Sequence, residues 1–148
     1  MPKSEARTAF GAKFFLAAAL ADVALAANQW GEVVGLKPPS ETWDTAEATH
    51  FGSPDRRREW IKTLIDSGES DIQVNLIPGN ATYVAMGVAF ESEDAFYYQF
   101  WIPKKVGGWL ITGTCLVIGL EPDTPLDDRM TRTARLKFTG TKTEAASA

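Results

Sequence analysis

The sequence has only one cysteine, Cys115, and only one histidine, His50. A single cysteine excludes an intramolecular disulfide, and its position inside an apolar run indicates a buried free thiol. One histidine and one distant cysteine supply neither a metal-binding cluster nor a nucleophile pair, so His50 is interpreted as a solvated loop residue. Gly107-Gly108 lies in a hairpin connection rather than a strand-to-helix turn, so no phosphate-binding loop is predicted. We therefore predict no catalytic, metal-binding or cofactor-binding residue and expect no enzyme activity.

Basic residues are also too few for a general nucleic-acid binder. The chain has 15 Lys and Arg against 19 Asp and Glu, which gives a formal net charge of −4. Sequence-independent binding to phosphate groups requires a basic surface, so this class is disfavoured.

No apolar run is long enough to span a membrane, although residues 14–27 have the size of a signal-peptide core. Lys3, Arg7 and Lys13 precede this segment, whereas Asp22 interrupts it. Two interpretations stay open. Either residues 1–27 are a cleaved signal, or they hold a strand followed by an alanine-rich segment that is either helical or part of a hairpin turn.

The length of 148 residues suits a single domain of residues 1–148, which can bury a core without disulfides. The clearest strand starts after Asp66-Ser67-Gly68 and ends at Pro78-Gly79. Its apolar and polar residues alternate, as in a half-buried strand. The apolar face has Ile72, Val74 and Leu76, and the polar face has Asp71, Gln73 and Asn75.

The remaining pattern predicts strands on both sides of one helix. The helix covers about residues 80–91, with Asn80 as its cap and Tyr83, Met86 and Phe90 on its packed stripe. Residues 59–65 fit either a helical turn or a strand. Further strands are predicted at 10–15, 29–36, 41–49, 95–102, 109–120 and 130–138, with an acidic loop at 121–128. Residues 1–9 are predicted as an N-terminal arm and 141–148 as a flexible tail, both loose in the monomer and ordered in an assembly. The expected fold is mainly β, a β-sandwich or partly closed barrel with one flanking α-helix.

Several segments in this order resemble the major tail tube proteins of lambda-like long-tailed (siphovirus-type) bacteriophages. The resemblance runs from Phe10-Gly11 to Thr139-Gly140. It is carried by Asp44-Thr45, Ser53-Pro54, Arg58-Glu59-Trp60-Ile61, Asp66-Ser67-Gly68-Glu69, Pro78-Gly79-Asn80 and Leu136-Lys137-Phe138-Thr139-Gly140. The alanine-rich residues 17–27 and Leu64-Ile65 depart from the family pattern.

The resemblance implies a structural virion protein that forms stacked hexameric rings, whose lumen conducts double-stranded DNA into the host without binding it specifically. It also implies contacts with tape measure, tail terminator and baseplate hub proteins, assembly in the host cytoplasm and no membrane contact. The loop between rings would consist of His50, Phe51, Gly52, Ser53, Pro54, Asp55, Arg56, Arg57 and Arg58. Candidate residues of the lumen face are Asp44, Asp71, Gln73 and Asn75.

Three alternatives remain open at this point. Residues 56–58 are either a solvated basic loop or a patch that meets acidic segments of a neighbouring subunit at 91–94 or 121–128. The chain is either a virion protein or the tube protein of a phage-derived particle, such as a gene transfer agent or a secretion system. A secreted β-sandwich binding module, with residues 1–27 as its signal peptide, is the alternative from another class.

Overall fold

The computed structural model describes residues 10–147, which form eight β-strands and one α-helix with three short 3-10 turns. The strands are β1 (Lys13–Ala17), β2 (Val33–Gly35), β3 (Thr42–Glu47), β4 (Trp60–Asp66), β5 (Glu69–Asn75), β6 (Phe96–Pro103), β7 (Gly108–Asp123) and β8 (Thr131–Ser147). The helix α1 spans Ala81–Glu91, between β5 and β6.

Six strands form one antiparallel sheet in the order β1-β6-β7-β8-β5-β2, which curls into a half-barrel. Strands β3 and β4 form a separate two-stranded sheet, the β3–β4 hairpin. The prediction of a mainly β, partly closed barrel with one helix is confirmed. The half-barrel leaves β1 and β2 as its edges, each with a strand partner on one side only.

Alternating side chains of the long central strands build the core. Phe14, Phe100, Ile72 and Leu136 are fully buried on one face of the sheet, and α1 covers them with Met86. A smaller cluster on the opposite face of the sheet packs Phe15 and Ala17 of β1 against Val23, Tyr97 and Trp101. Both faces of β1 are therefore covered, which explains its run of apolar residues.

The helix begins where the sequence predicts it, but it packs on a different face. Asn80 is the N-cap, and its side chain accepts a hydrogen bond from the Tyr83 amide at 2.8 Å. The buried residues are Thr82, Met86 and Ala89, so the predicted stripe with Tyr83 and Phe90 is wrong. Because α1 is apolar on nearly every side, residue type alone could not fix which side faces the core.

The N-terminal third is less regular than predicted. Strand β1 is shifted towards the C-terminus relative to the predicted 10–15, and it is followed by two 3-10 turns, Leu20–Asp22 and Ala26–Asn28. The predicted strand at 29–36 shrinks to β2 plus one bridge between Gln29 and Phe15. A chain containing Gly31 and Gly35 loses more entropy in a strand than other sequences do, which shortens this one.

The predicted flexible tail at 141–148 is corrected, because β8 continues to Ser147. Residues 143–147 pair with residues 108–112 at the start of β7, from Thr143 opposite Thr112 to Ser147 opposite Gly108. The backbone groups at the start of β7 need hydrogen-bond partners, which this small, polar segment supplies. At its other end, β7 takes in part of the predicted acidic loop and pairs with the start of β8. The predicted N-terminal arm at 1–9 lies outside the described residues.

Candidate assembly surfaces

The predicted inter-ring loop, residues 50–58, lies at the tip of the β3–β4 hairpin. Phe51 at the tip is fully exposed, and Pro54–Arg56 form a 3-10 turn. Asp55 and Arg56 both have positive φ angles, of 56° and 55°. Non-glycine residues rarely adopt this conformation, and such strain is concentrated at functional sites.

His50 organises this loop. Its Nδ1 accepts a hydrogen bond from the Gly52 amide at 3.0 Å, and its Nε2 lies 3.3 Å from Glu59 Oε2. The hydrogen bond at Nδ1 and the carboxylate beside Nε2 together hold the ring against the loop. Ser53 Oγ donates to the same Glu59 oxygen at 2.9 Å. The predicted solvated histidine is thus exposed but tied at both ring nitrogens, and Glu59 is a loop-forming residue that sequence reasoning missed.

The strands that carry this loop are exposed along their whole length. All seven residues of β4 are exposed, and so are five of the six in β3. Several of them are large and apolar, with Leu64 exposed to 72%. The others are Trp43, Trp60, Ile61 and Ile65. A two-stranded hairpin is marginally stable alone in water, and exposed apolar side chains on it indicate a surface that another chain covers.

The base of the hairpin contacts the large sheet near Gly140 of β8, where the pairing of β8 with β7 is irregular. Lys142 Nζ lies 3.1 Å from Glu41 Oε1, and Ser67 Oγ donates to the Gly140 carbonyl at 3.3 Å. Gly68 has a φ of +77°, and a Cβ there would lie 2.9 Å from the Ser40 carbonyl oxygen, so only glycine fits. These contacts hold the direction in which the hairpin projects.

Three of the four predicted lumen residues share one face. Asp71, Gln73 and Asn75 alternate with buried residues of β5 on its outward face, whereas Asp44 lies in the β3–β4 hairpin, a different sheet. Asp71 Oδ1 accepts from Arg135 Nε at 3.3 Å, and this hydrogen bond and the carboxylate charge raise the pKa of Arg135. Next along the strands, Glu69 and Lys137 lie 3.9 Å apart. The face is therefore polar with balanced charges rather than acidic.

The described residues contain neither a metal-binding cluster nor an activated cysteine nucleophile. No group of His, Cys, Asp or Glu within residues 10–147 has metal-binding geometry. Cys115 is a buried free thiol, as predicted, and burial raises its pKa to about 12, which keeps it protonated and unreactive. Among the same residues, no helix combines the length and apolar character needed to span a lipid bilayer.

Comparison with known proteins gives a family match over most of the chain. The profile of the family described as "Lambda phage tail tube protein, TTP" matches residues 15–145. No match was found among curated protein sequences.

Solved structures share the fold at low sequence identity. A chain of the virion of a native gene transfer agent particle superposes with a TM-score of 0.68 and 12% identity, over 95% of this chain and 100% of that one. The tail tube of SPP1 superposes with a TM-score of 0.58 and 12% identity, over 92% of this chain and 77% of that one. A third match is a chain in a structure of the sheath/tube terminator of the PVC extracellular contractile injection system. It superposes with a TM-score of 0.70 and 7% identity, over 97% of this chain and 99% of that one.

Proposed function

The chain belongs to the lambda phage tail tube protein family, and we propose that it assembles into stacked hexameric rings whose lumen conducts double-stranded DNA. It is a structural tail tube protein of a phage or a phage-derived particle. Either kind of particle is consistent with the comparisons, because the family is named for a phage while a chain of a gene transfer agent particle shares the fold. An infectious long-tailed, siphovirus-type phage is the first candidate.

The single observation that carries this proposal is the projecting β3–β4 hairpin. It exposes large apolar residues on a sheet too small to be stable by itself. The half-barrel also ends at two edge strands, β2 and β1, which can meet neighbouring copies, although the outer side of β1 is already bridged at Phe15 by Gln29. Two different edges of one chain that pair head to tail form a heterologous interface, and such an interface closes into a ring when the rotation permits.

We assign the contact between rings to the loop of residues 50–58. Phe51 is a fully exposed aromatic side chain at its tip, and the three arginines 56–58 of the same loop are also exposed. Aromatic and arginine side chains are enriched where protein surfaces meet. The network between His50, Ser53 and Glu59 holds the tip in one shape before contact, which lowers the entropy lost on docking.

The outward face of β5 and β8 is proposed to line the lumen. It presents Asp71, Gln73 and Asn75 together with the cations that pair with its carboxylates. A surface with polar groups and balanced charge neither grips nor strongly repels phosphates, which suits a conduit. Asp44 would reach the lumen from the hairpin instead.

The remaining assignments follow the same proposal. Residues 1–148 form one tail tube domain, and the protein has no cofactor and no enzyme activity. It meets other copies of itself, tape measure, tail terminator and baseplate hub proteins, makes no membrane contact, and is built into the virion tail in the host cytoplasm. A secreted binding module would instead lose residues 1–27, so mass spectrometry of the assembled protein distinguishes the two.

Assembly of the purified protein tests the function. Sedimentation velocity and negative-stain microscopy at rising protein concentration should show rings and then tubes of uniform diameter. Monomers at every concentration would contradict the proposal.

A further inference from the structure

Helix α1 has an apolar outward face, opposite the buried Thr82, Met86 and Ala89. Val84 and Val88 are exposed to 54% and 57%, and a Cβ on Gly87 between them would meet nothing within 4 Å. The ten residues from Ala81 to Phe90 include no charged side chain. Helices that face water normally carry polar groups on that side, so this face is built to be covered. Gly87 lets a partner approach the helix backbone closely.

An acidic segment ends this apolar face. Glu91, Glu93 and Asp94 are all exposed at or just after the C-terminus of α1. Among the described residues, none of these three carboxylates has an ion-pair partner.

The β3–β4 hairpin carries a surface complementary to that of α1, with apolar residues along its strands and basic residues at its tip. Its strands expose Trp60, Ile61 and Leu64, and its tip bears Arg56, Arg57 and Arg58. Of these arginines, only Arg58 has a carboxylate within reach in the described chain, Glu47 at a marginal 4.0 Å. Both surfaces are exposed in one copy, so neither covers the other within it.

We propose that the β3–β4 hairpin of one copy docks on the outward face of α1 in a second copy. The face of the hairpin that carries Ile61 covers Val84, Gly87 and Val88, since Trp60 next to it points to the other face. The arginines 56–58 meet Glu91, Glu93 and Asp94. Apolar packing supplies the contact, and the charges at one end set its direction. Because hairpin and helix are different surfaces, the contact is heterologous and propagates from copy to copy. This inference rests on the proposed self-assembly and names the surface that receives the hairpin.

Crosslinking between two singly substituted proteins tests the contact. One protein carries Ile61→Cys and the other Val88→Cys, and the native Cys115 is 0% exposed and does not compete. Mixed, assembled and treated with a short bismaleimide, the two should give a crosslinked dimer that neither protein gives alone. The matched control pairs Ile61→Cys with Leu126→Cys, a fully exposed residue outside the proposed contact, and should give none. Equal crosslinking in the control, or none in the test pair, overturns the inference.

A second measurement uses Val88→Lys, with Val88→Ala as its control. Lysine is a good helix former and suits the last turn of a helix, so the monomer should keep its circular dichroism and melting temperature. On the proposed surface it buries a charge and repels the arginines, so tubes should be lost, whereas Val88→Ala should still assemble. Normal tubes from Val88→Lys, or loss of tubes in both variants, overturns the inference.

The outcomes separate the two proposals. If wild-type protein forms tubes but neither the crosslink nor the Val88→Lys defect appears, the docking surface is wrong and the proposed function stands. If wild-type protein forms no rings or tubes, the proposed function itself fails.

Discussion

Gly113 in β7 has no room for a side chain, because the ring of its cross-strand partner Tyr98 occupies that space. A Cβ at Gly113 would lie 2.7 Å from the hydroxyl oxygen of Tyr98, which is a buried core residue paired with it across β6 and β7. We expect Gly113→Ala to lower the free energy of unfolding by about 1–3 kcal/mol, because the overpacked ring must move.

Gly119→Ala is the control for this substitution, in the same strand. Its Cβ would meet Arg135 Cβ at 3.6 Å, an ordinary contact, so the change should stay within about 0.5 kcal/mol. Urea denaturation of the monomer measures both. Equal effects of the two substitutions would show that the Tyr98 contact is not what requires glycine.

Burial of Cys115 makes the free energy of unfolding depend on pH in the alkaline range. Burial raises its pKa to about 12, whereas the unfolded thiol has a value of about 8.5. Between these values the folded chain keeps a proton that the unfolded chain releases, so the free energy of unfolding falls as pH rises, by up to about 1.4 kcal/mol per pH unit. Burial also raises the pKa of Tyr98, which adds to the fall above about pH 10.

Urea denaturation of the wild type and Cys115→Ala between pH 7 and 10 checks this expectation. The wild type should lose more stability than the variant over that interval, whatever the difference between the two at pH 7. Parallel curves would mean that the thiol ionises alike in the folded and unfolded chains.

At the scale of elements, the end of β8 is where sequence and structure differ most. Residues 143–147 are paired with the start of β7 within one copy, although their composition predicts a loose tail. We expect amide hydrogens of this segment that point at β7 to exchange slowly in the monomer, since they are hydrogen-bonded in a sheet. Exchange mass spectrometry at a concentration below assembly measures it. Exchange as fast as in an unfolded peptide would restore the tail interpretation.

The proposed inter-ring loop, residues 50–58, is the element whose removal should separate folding from assembly. Replacing residues 50–57 with a short Gly-Ser linker removes no core residue, and changing loop length costs only about 0.6 kcal/mol per doubling. Circular dichroism should therefore stay native while microscopy shows monomers or isolated rings but no tubes. Normal tubes from this variant would mean that the loop is not the contact between rings.

The sequence predicted the elements whose pattern matches their burial. Strand β5 alternates because one face is buried, and Asn80 caps α1 because its side chain accepts from the Tyr83 amide. Patterning failed where burial does not follow residue type. The helix is apolar on its outward side too, so its packed stripe was predicted wrongly. Strand β4 is exposed on both faces, so Trp60 to Ile65 gave no readable period.

The site could be predicted only in part for the same reason. The loop position at 50–58 follows from its turn-forming residues, and the structure places it at a hairpin tip. The Lys142–Glu41 pair at the hairpin base joins residues distant in sequence, and the Glu59 network depends on the conformation of the loop, so the sequence pattern predicts neither. Nor could sequence show that Arg135 and Lys137 neutralise the carboxylates of β5, since that depends on the register with β8.

At the scale of the whole molecule, the features left over after folding all concern other copies. The half-barrel ends at two edge strands, the hairpin exposes large apolar side chains, and Val84 and Val88 of α1 are exposed to water. A monomer gains nothing from these surfaces, and each one costs solubility. Together they support the proposal that the stable form of this subunit is an assembly.

The most direct test of that account is a cryo-electron microscopy reconstruction of the assembled protein without imposed symmetry. The expectation is hollow tubes of stacked rings with six copies in each ring, with the loop of residues 50–58 touching the next ring and Asp71, Gln73 and Asn75 facing the lumen. Particles without a channel, rings of another copy number, or a lumen lined by a different face of the sheet would contradict it.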